Sequence, residues 1–403
     1  QSPALLNRGR IGGGIRADLK MRPLCEQPAQ IERQAHVKGN RSHQKGHHCR
    51  HAAAAGSVAG AAVILGFFLL AVLPGEGVAG VANALKLRDA PTEPDAVFFE
   101  ETQYQILTVT ADPGRPSHRY FFQDKLRHSE IDLSHPENLQ YPYHRLYEGY
   151  VNLIRGRNAD PVRLLCLGGG GYAYPQHLFA ARPGSEIVAV EIDPVVTRAA
   201  REAFGLAADA PIEIHHMDAR NYISDAVRLN REAPGSVSRF DFIICDSISD
   251  YTVPYHLTTK EFMEDVRELL KPDGLFIMNT VDVFESGRFM NAVNQTLREV
   301  FPHVAAVSTA QALDERDTTV WAAGTRPIDA REVPAHLRHP ELFRGFALTD
   351  AHFADLRSRN GECVLTDDWA PVENLLAPVV RRDRTGLLSA ALQAGIRAAE
   401  KED

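Results

Sequence analysis

Three carboxylates stand at the ends of three consecutive apolar runs. Val188-Ala189-Val190 leads into Glu191, the run from Ile212 leads to Asp218, and Phe242-Ile243-Ile244-Cys245 ends at Asp246. Ahead of them, Val162 to Cys166 runs into Leu167-Gly168-Gly169-Gly170-Gly171-Tyr172. Closely spaced glycines let the backbone approach a ligand, and the next helix offers its unpaired N–H groups; Gly168-x-Gly170 alone is shared with dinucleotide enzymes and with tight structural turns. A carboxylate about twenty residues beyond such a turn, at the tip of the second strand, is placed to accept hydrogen bonds from both hydroxyls of a ribose. That role falls to Glu191, because Asp193 is better explained as the N-cap of a helix opening at Pro194. Asp218, followed by Ala219, would accept from an adenine amino group or cap the next helix. Three such strand ends in succession fit an adenosine pocket better than three unrelated caps. Asp246 lies at the mouth of the sheet, where a carboxylate can take a proton from a ligand. Asp250 follows in the loop Ile248 to Pro254, and two acids facing one cleft would hold an ammonium head; a capping aspartate in a polar loop is the plainer reading.

These residues need a scaffold that brings strand ends together. The sequence predicts strands over Arg163–Gly168, Ile187–Ile192, Ile212–Asp218, Phe240–Ser247 and Gly274–Val281, with helices near Gln176–Ala181, Pro194–Phe204, Ala219–Asn230, Thr258–Leu270 and Arg288–Phe301. Such alternation implies an α/β, doubly wound, mainly parallel sheet with helices on both faces. The runs His303–Ser308 and Thr318–Thr325 have no helix between them and would close the sheet as an antiparallel edge. Before this domain, Gln105–Thr110 and Arg119–Gln123 alternate as strands around the turn Asp112-Pro113-Gly114, and Tyr141–Arg155 has helical periodicity, so a small N-terminal β unit is expected.

The chain has 403 residues and a net charge of −8, but residues 1–51 hold ten Lys and Arg against three acids, a balance of +7 that leaves the rest at −15. An acidic body argues against a nucleic-acid partner and suits a small cationic substrate. The five cysteines are scattered without CxxC spacing, so neither a disulfide framework nor a metal site is expected. The basic arm reads as disordered, its His43, His47, His48, Cys49 and His51 as solvated polar residues. Since the chain begins at Gln1, Met21 is one candidate start. Ala52 to Leu73 is uncharged and long enough, at about 1.5 Å per residue, to cross a hydrocarbon core of about 30 Å. It reads as one transmembrane helix, with a long signal peptide or a weakly inserted segment as the other readings. The expected organisation is therefore a basic arm (1–51), a transmembrane helix (52–73), a linker (74–95), a β unit with its helix (96–158), a nucleoside-binding catalytic domain (159–328) and a helical C-terminal extension (329–403).

Taken together, these motifs resemble the spermidine synthase family, the polyamine aminopropyltransferases, and especially the bacterial membrane-associated or fused spermidine synthase-like proteins. The resemblance runs from about Phe98 to Val379. It implies a Rossmann-like sheet of the class I S-adenosylmethionine-methyltransferase type and assigns roles to residues. Gln105, in Glu100-Glu101-Thr102-Gln103-Tyr104-Gln105, would contact the nucleoside together with Gly168, Gly170, Glu191, Asp218, Ala219 and Pro254. The Tyr143-His144 pair would meet the polyamine, and Asp246-Ser247 would carry the proton acceptor. With one inserted residue, Asp250 and Pro254 fall into the family's Asp-x-x-Asp-Pro loop. Leu365-Thr366-Asp367-Asp368-Trp369-Ala370-Pro371-Val372-Glu373 is similar to the ending of the fused proteins. Two departures remove negative charge where the family binds cations. Gly171 and then Tyr172 stand where the family has an acid, and Arg145 replaces the acid after the Tyr-His pair. A ring at Tyr172 would close over a sulfonium by cation–π contact or simply pack.

The expectation that follows is transfer of an aminopropyl group from decarboxylated S-adenosylmethionine to an amine, without a metal. Asp246 would take the proton and Asp250 would orient the amine. A class I methyltransferase using intact S-adenosylmethionine is the alternative, because the same pocket serves both and the missing acid at Gly171 removes a repulsion against the intact donor's carboxylate. An inactive, membrane-tethered nucleoside-binding domain is the third reading. The resemblance implies anchorage in a bacterial inner membrane with the catalytic domain on the cytoplasmic face, although the basic arm by itself favours the opposite orientation. Self-association into a homo-oligomer is compatible with the sequence.

Overall fold

The computed structural model describes residues 95–124, 126–158, 160–247 and 253–381. The basic arm, the Ala52–Leu73 segment, Asp250 and the chain after residue 381 lie outside the described residues. Among those described, no helix is long and apolar enough to cross a membrane.

Four antiparallel strands come first: β1 (Ala96–Glu101), β2 (Ile106–Asp112), β3 (Arg115–Gln123) and β4 (Leu126–Asp132), in the order β1-β2-β3-β4. The sequence shows two of these plainly; β1 and β4 carry mixed polar residues and become strands by pairing with a neighbour. Helix α1 (Pro142–Arg155) opens with proline at its first turn and ends at Gly156, whose φ of 75° suits glycine.

The second sheet contains β5 (Arg163–Leu167), β6 (Glu186–Val190), β7 (Ile212–His215), β8 (Phe240–Cys245), β9 (Leu270–Val283), β10 (His303–Ser308), β11 (Arg316–Gly324) and β12 (Phe346–Ala347). Their order is β12-β10-β11-β9-β8-β5-β6-β7. The pairs from β7 through β9 are parallel, and β9-β11, β11-β10 and β10-β12 are antiparallel. This is the class I methyltransferase-like Rossmann arrangement. The expected antiparallel closure by the 303–308 and 318–325 runs is present, with the two-residue β12 paired beyond it.

Helices α2 (Ala173–Ala181), α3 (Pro194–Ala203), α4 (Ala219–Glu232), α5 (Lys260–Leu269), α6 (Arg288–Val300) and α7 (Asp350–Asn360) complete the layers. Between residues 329 and 381 the chain adds short 3-10 turns, β12, α7 and a further helical stretch over residues 372–381. One core lies between the sheet and α4 to α7, with Ile223, Phe262, Phe289 and Leu356 fully shielded. The other joins the opposite face to α1, α2, α3 and the small sheet through Phe121, Tyr147, Tyr172 and Phe204. The strands are buried on both faces, which explains their nearly continuous apolar composition.

Asp241 pins the amino end of this sheet. Its carboxylate accepts from Arg155 Nη2 at 2.6 Å, the Arg163 backbone N–H at 2.7 Å and Lys271 Nζ at 2.8 Å, linking α1, β5, β8 and β9. Because Asp241 is buried, its loss strands partners that have already given up water. Asp241→Ala is expected to cost on the order of 3 kcal/mol in urea unfolding, whereas Asp273→Ala, which removes a more exposed partner of Arg155, costs less than about 1 kcal/mol.

Candidate active site

The chain order reverses beside β5. β6 and β7 lie on one side of it and β8 and β9 on the other, so the loops after β5 and β8 diverge and leave a crevice at the carboxyl ends. A cavity of about 290 Å³ fills that crevice and is roofed by the small sheet. Gln105, Tyr143, Gly168, Gly170, Glu191, Asp218, Ala219, Asp246 and Pro254 all line it, so most of the residues singled out in the sequence meet there. A larger groove of about 740 Å³ lies at the opposite ends of the strands. Several of its charged wall residues are paired with one another, Arg163 with Glu186, Lys271 with Asp241 and Arg231 with Glu268.

The floor is built from the glycine turn. Gly168 has φ 106°, and a Cβ there would stand 2.0 Å from the Asp246 carbonyl oxygen, so the turn after β5 and the end of β8 touch backbone to backbone. Glu191 Oε2 accepts from the Gly169 N–H at 2.6 Å and Oε1 from the Asp193 N–H at 2.9 Å. A carboxylate has about four acceptor positions, so those left over can take ribose hydroxyls. Burial pushes Glu191 up to about 7 despite these two amides. Asp193 caps α3 through the Val195 N–H at 3.0 Å, as expected.

Asp218 caps the next helix and also stands at the cavity wall. Oδ1 caps α4 by accepting from the Asn221 N–H at 3.1 Å, while Oδ2 lies 3.1 Å from His256 Nε2 at the cavity wall. Asp246 is held by Asn279, whose Nδ2 donates to Oδ1 at 2.7 Å, and its Oδ2 lies 3.7 Å from His144 Nε2. Tyr143 Oη donates to the His128 carbonyl at 2.9 Å, and burial holds this phenol well above its ordinary range.

Two readings need correction. His144 is buried behind Asp246, against the rings of Tyr143 and Tyr147, and does not line the cavity, so it supports the carboxylate instead of meeting a ligand. Tyr172 is fully buried with its hydroxyl 2.7 Å from Thr197 Oγ1, and its ring packs beneath Gly169. It is therefore packing, placed out of reach of a ligand in the cavity. The missing acid has a steric reason too: Gly171 has φ 77°, and a Cβ would come within 3.0 Å of the Phe204 ring and 3.3 Å of Phe121. Arg145, the other departure, turns away to donate to the carbonyls of Leu139 and Gln140 at 2.8 and 3.0 Å.

Sequence reasoning missed Gln123, Asp124, His128 and His256 on the walls and Asn279 behind Asp246. His128 is lowered to about 4 by burial, and its shielded Nε2 has no partner. The ring is neutral near pH 7. Asn279 had a signal, a lone amide inside the apolar run Phe276-Ile277-Met278-Asn279; the others sit in polar stretches that look like ordinary surface.

Residues 150–312 match the family model for the spermine/spermidine synthase domain. The match ties residues 150–312, less than half of the chain, to the spermine/spermidine synthase family. The chain is similar to a polyamine aminopropyltransferase of Vibrio vulnificus, at 29% identity over 207 residues that cover 51% of this chain and 62% of that protein. A probable polyamine aminopropyl transferase of Bifidobacterium longum is 27% identical, over 54% of this chain and 49% of its own length. The chain thus spans less than two thirds of these curated relatives. It is also 33% identical, over 150 residues, to a mouse eEF1A lysine and N-terminal methyltransferase, covering 35% of this chain and 20% of that one. Among solved structures, a probable spermidine synthase from Corynebacterium glutamicum superposes with a TM-score of 0.57 at 21% identity, over 68% of this chain and 97% of the other, which establishes the shared fold.

The raised Glu191 predicts a pH dependence for this spermidine synthase-like domain. Its folded value of about 7 exceeds the ordinary 4.5, so the folded state holds the proton more tightly. The resulting stabilisation is complete below about 4.5 and is lost as pH rises through about 7. Urea unfolding at stepped pH should show that loss, and Glu191→Gln should flatten this part of the profile.

Proposed function

We propose that the chain transfers an aminopropyl group from decarboxylated S-adenosylmethionine to a small amine in polyamine biosynthesis. The observation that carries this reading is the charge of the cavity: among its described lining residues are Asp124, Glu191, Asp218 and Asp246, and no Lys or Arg. Such walls favour a donor that bears a sulfonium and an ammonium without a carboxylate, and a cationic acceptor. The family-model match over residues 150–312 and the similarity to aminopropyltransferases support the same chemistry.

In this reading Glu191 takes the ribose hydroxyls and Asp218 the adenine amino group, with Gln105, Gly168, Gly170, Ala219 and Pro254 completing the nucleoside contacts. The acceptor must attack as a neutral amine, although amines resembling a Lys side chain hold their proton up to pH ~10.4 in water. Asp246 Oδ2 takes that proton, and Asn279 keeps the other oxygen from turning. The amine nitrogen then bonds to the carbon beside the sulfonium, the carbon–sulfur bond breaks with its electron pair passing to sulfur, and methylthioadenosine leaves. Tyr143 and neutral His128 border the same space, and Asp250 is assigned to orient the amine.

Methyl transfer from intact S-adenosylmethionine is the second reading, favoured by the likeness to the mouse methyltransferase and by the absent acid at Gly171. It would bring a donor carboxylate among four acids with no cation from a described wall residue to receive it, so we place it second.

Calorimetry with both donors and mass spectrometry against a panel of amines distinguish them. The decarboxylated donor should bind at least tenfold more tightly and yield aminopropylated amine; a methylated product would overturn the proposal. Asp246→Asn should lower turnover by about 10²-fold or more while leaving methylthioadenosine affinity within about twofold.

We further propose that Ala52–Leu73 anchors the chain in a bacterial inner membrane with the catalytic domain on the cytoplasmic face, where the proposed donor is made. The support is the length and lack of charge of that segment. Protease should cleave the domain only after membrane vesicles of native orientation are opened.

A further inference from the structure

The Leu365–Glu373 motif has no part in the chemistry above, yet Asp367 reaches Arg220 and Thr259, which lie just behind the wall residues Asp218, Ala219 and His256. Thr366 and Trp369 exchange backbone hydrogen bonds at 3.0 Å, closing a tight turn that presents Asp367. The Leu365 carbonyl accepts from the Lys260 N–H at 2.8 Å, and the Asp367 N–H donates to Glu261 Oε2 at 2.9 Å, so the turn is docked on the start of α5. From there Asp367 makes a forked contact with Arg220, Oδ2 to Nη2 at 2.7 Å and Oδ1 to Nη1 at 3.1 Å, and Oδ1 also accepts from Thr259 Oγ1 at 2.6 Å. Paired contacts of this kind fix the guanidinium plane as well as its position.

Arg220 is two residues beyond Asp218, in the first turn of α4. Its Nη1 donates to the His256 carbonyl at 3.1 Å. His256 in turn places Nε2 3.1 Å from Asp218 Oδ2, and both residues line the cavity. With Asn221 holding Oδ1 and His256 beside Oδ2, the Asp218 carboxylate is braced from both sides and retains acceptor positions for a ligand. The brace extends unbroken from Asp367 through Arg220 and His256 to Asp218. Three separate segments of the chain take part, and the C-terminal one contributes the anion that orders the rest.

We propose that Asp367 is a positioning residue for the nucleoside pocket, acting through Arg220 and His256 to aim Asp218 at the adenine amino group and so setting donor affinity and base selectivity. The inference rests on the nucleoside reading of this cavity and gives the C-terminal motif a role in it. A site built to accept from an amino group rejects the analogue that lacks the donor. Selectivity between adenine and its 6-oxo counterpart therefore reports the aim of Asp218 in a way that general loosening does not.

The test is calorimetry on the full chain with 5′-methylthioadenosine and 5′-methylthioinosine. The wild type should prefer the adenosine form. Asp367→Ala should weaken binding of the adenosine form about tenfold and of the inosine form much less, so that the preference narrows, and His256→Ala should do the same. Since both act on one carboxylate, the double variant should be no more than about twofold worse than either single one. Asp367→Asn, which keeps the shape of the turn, should show a smaller loss in the same direction even if the alanine variant folds poorly. Asp368→Ala, a change to the neighbouring acid, should leave both affinities unchanged. Wild-type affinity and preference in Asp367→Ala and Asp367→Asn would overturn the proposal, as would losses in Asp367→Ala and His256→Ala that multiply in the double variant. A wild-type chain that binds neither nucleoside would overturn the reading of the cavity and this inference with it.

Discussion

Everything at the site depends on the backbone contact between Gly168 and Asp246. β5 and β8 are neighbours whose following loops part in opposite directions, and the two chains come so close at the parting that no side chain fits at Gly168. That contact puts the carboxylate of Asp246 over the glycine turn. It also explains why the residues proposed for nucleoside recognition and for proton removal, which come from different strands, share one small cavity. The parallel order of β7, β6, β5, β8 and β9 then delivers Asp218, Glu191 and Asp246 along one edge of the sheet.

The carboxylates at this edge are not equivalent, because each is held differently. Glu191 is buried with two backbone amides and is pushed up toward neutrality. Asp218 is divided between a helix cap and an imidazole, and Asp246 is tied on one oxygen by Asn279. An acid that receives ribose hydroxyls needs fixed orientation, whereas one that takes a proton needs a free oxygen facing the amine. The hydrogen-bond partners supply that difference, and charge alone would not.

The surroundings of the cavity depart from the family resemblance in a consistent way. With Gly171 closed to side chains by Phe204 and Phe121, and Arg145 turned to the loop at residues 139–140, negative charge is withdrawn from two places. Asp124 and neutral His128 from the small sheet stand on the wall. The end of the cavity proposed for the amine is thus shaped by the four-stranded unit, whose polar residues resemble those of any exposed β surface when read in sequence.

Much of the architecture was legible in the sequence because its signals are local. Apolar runs of strand length, Pro194 after Asp193, and the glycine turn each report the conformation of their own few residues, and the sheet with Glu191, Asp218 and Asp246 at its strand ends follows from them. Tyr172, His144, Asn279, His256 and Asp367 could not be assigned in the same way. Whether a ring faces a ligand or packs under a glycine, and whether an aspartate near the C-terminus reaches Arg220 147 positions earlier, depends on which elements meet across the fold. The sequence by itself determined the strand-end chemistry, since spacing along one strand sets where its last residue stands. Only the tertiary structure decided which side chains surround and brace those carboxylates, since burial and long-range hydrogen bonds arise when distant segments pack together.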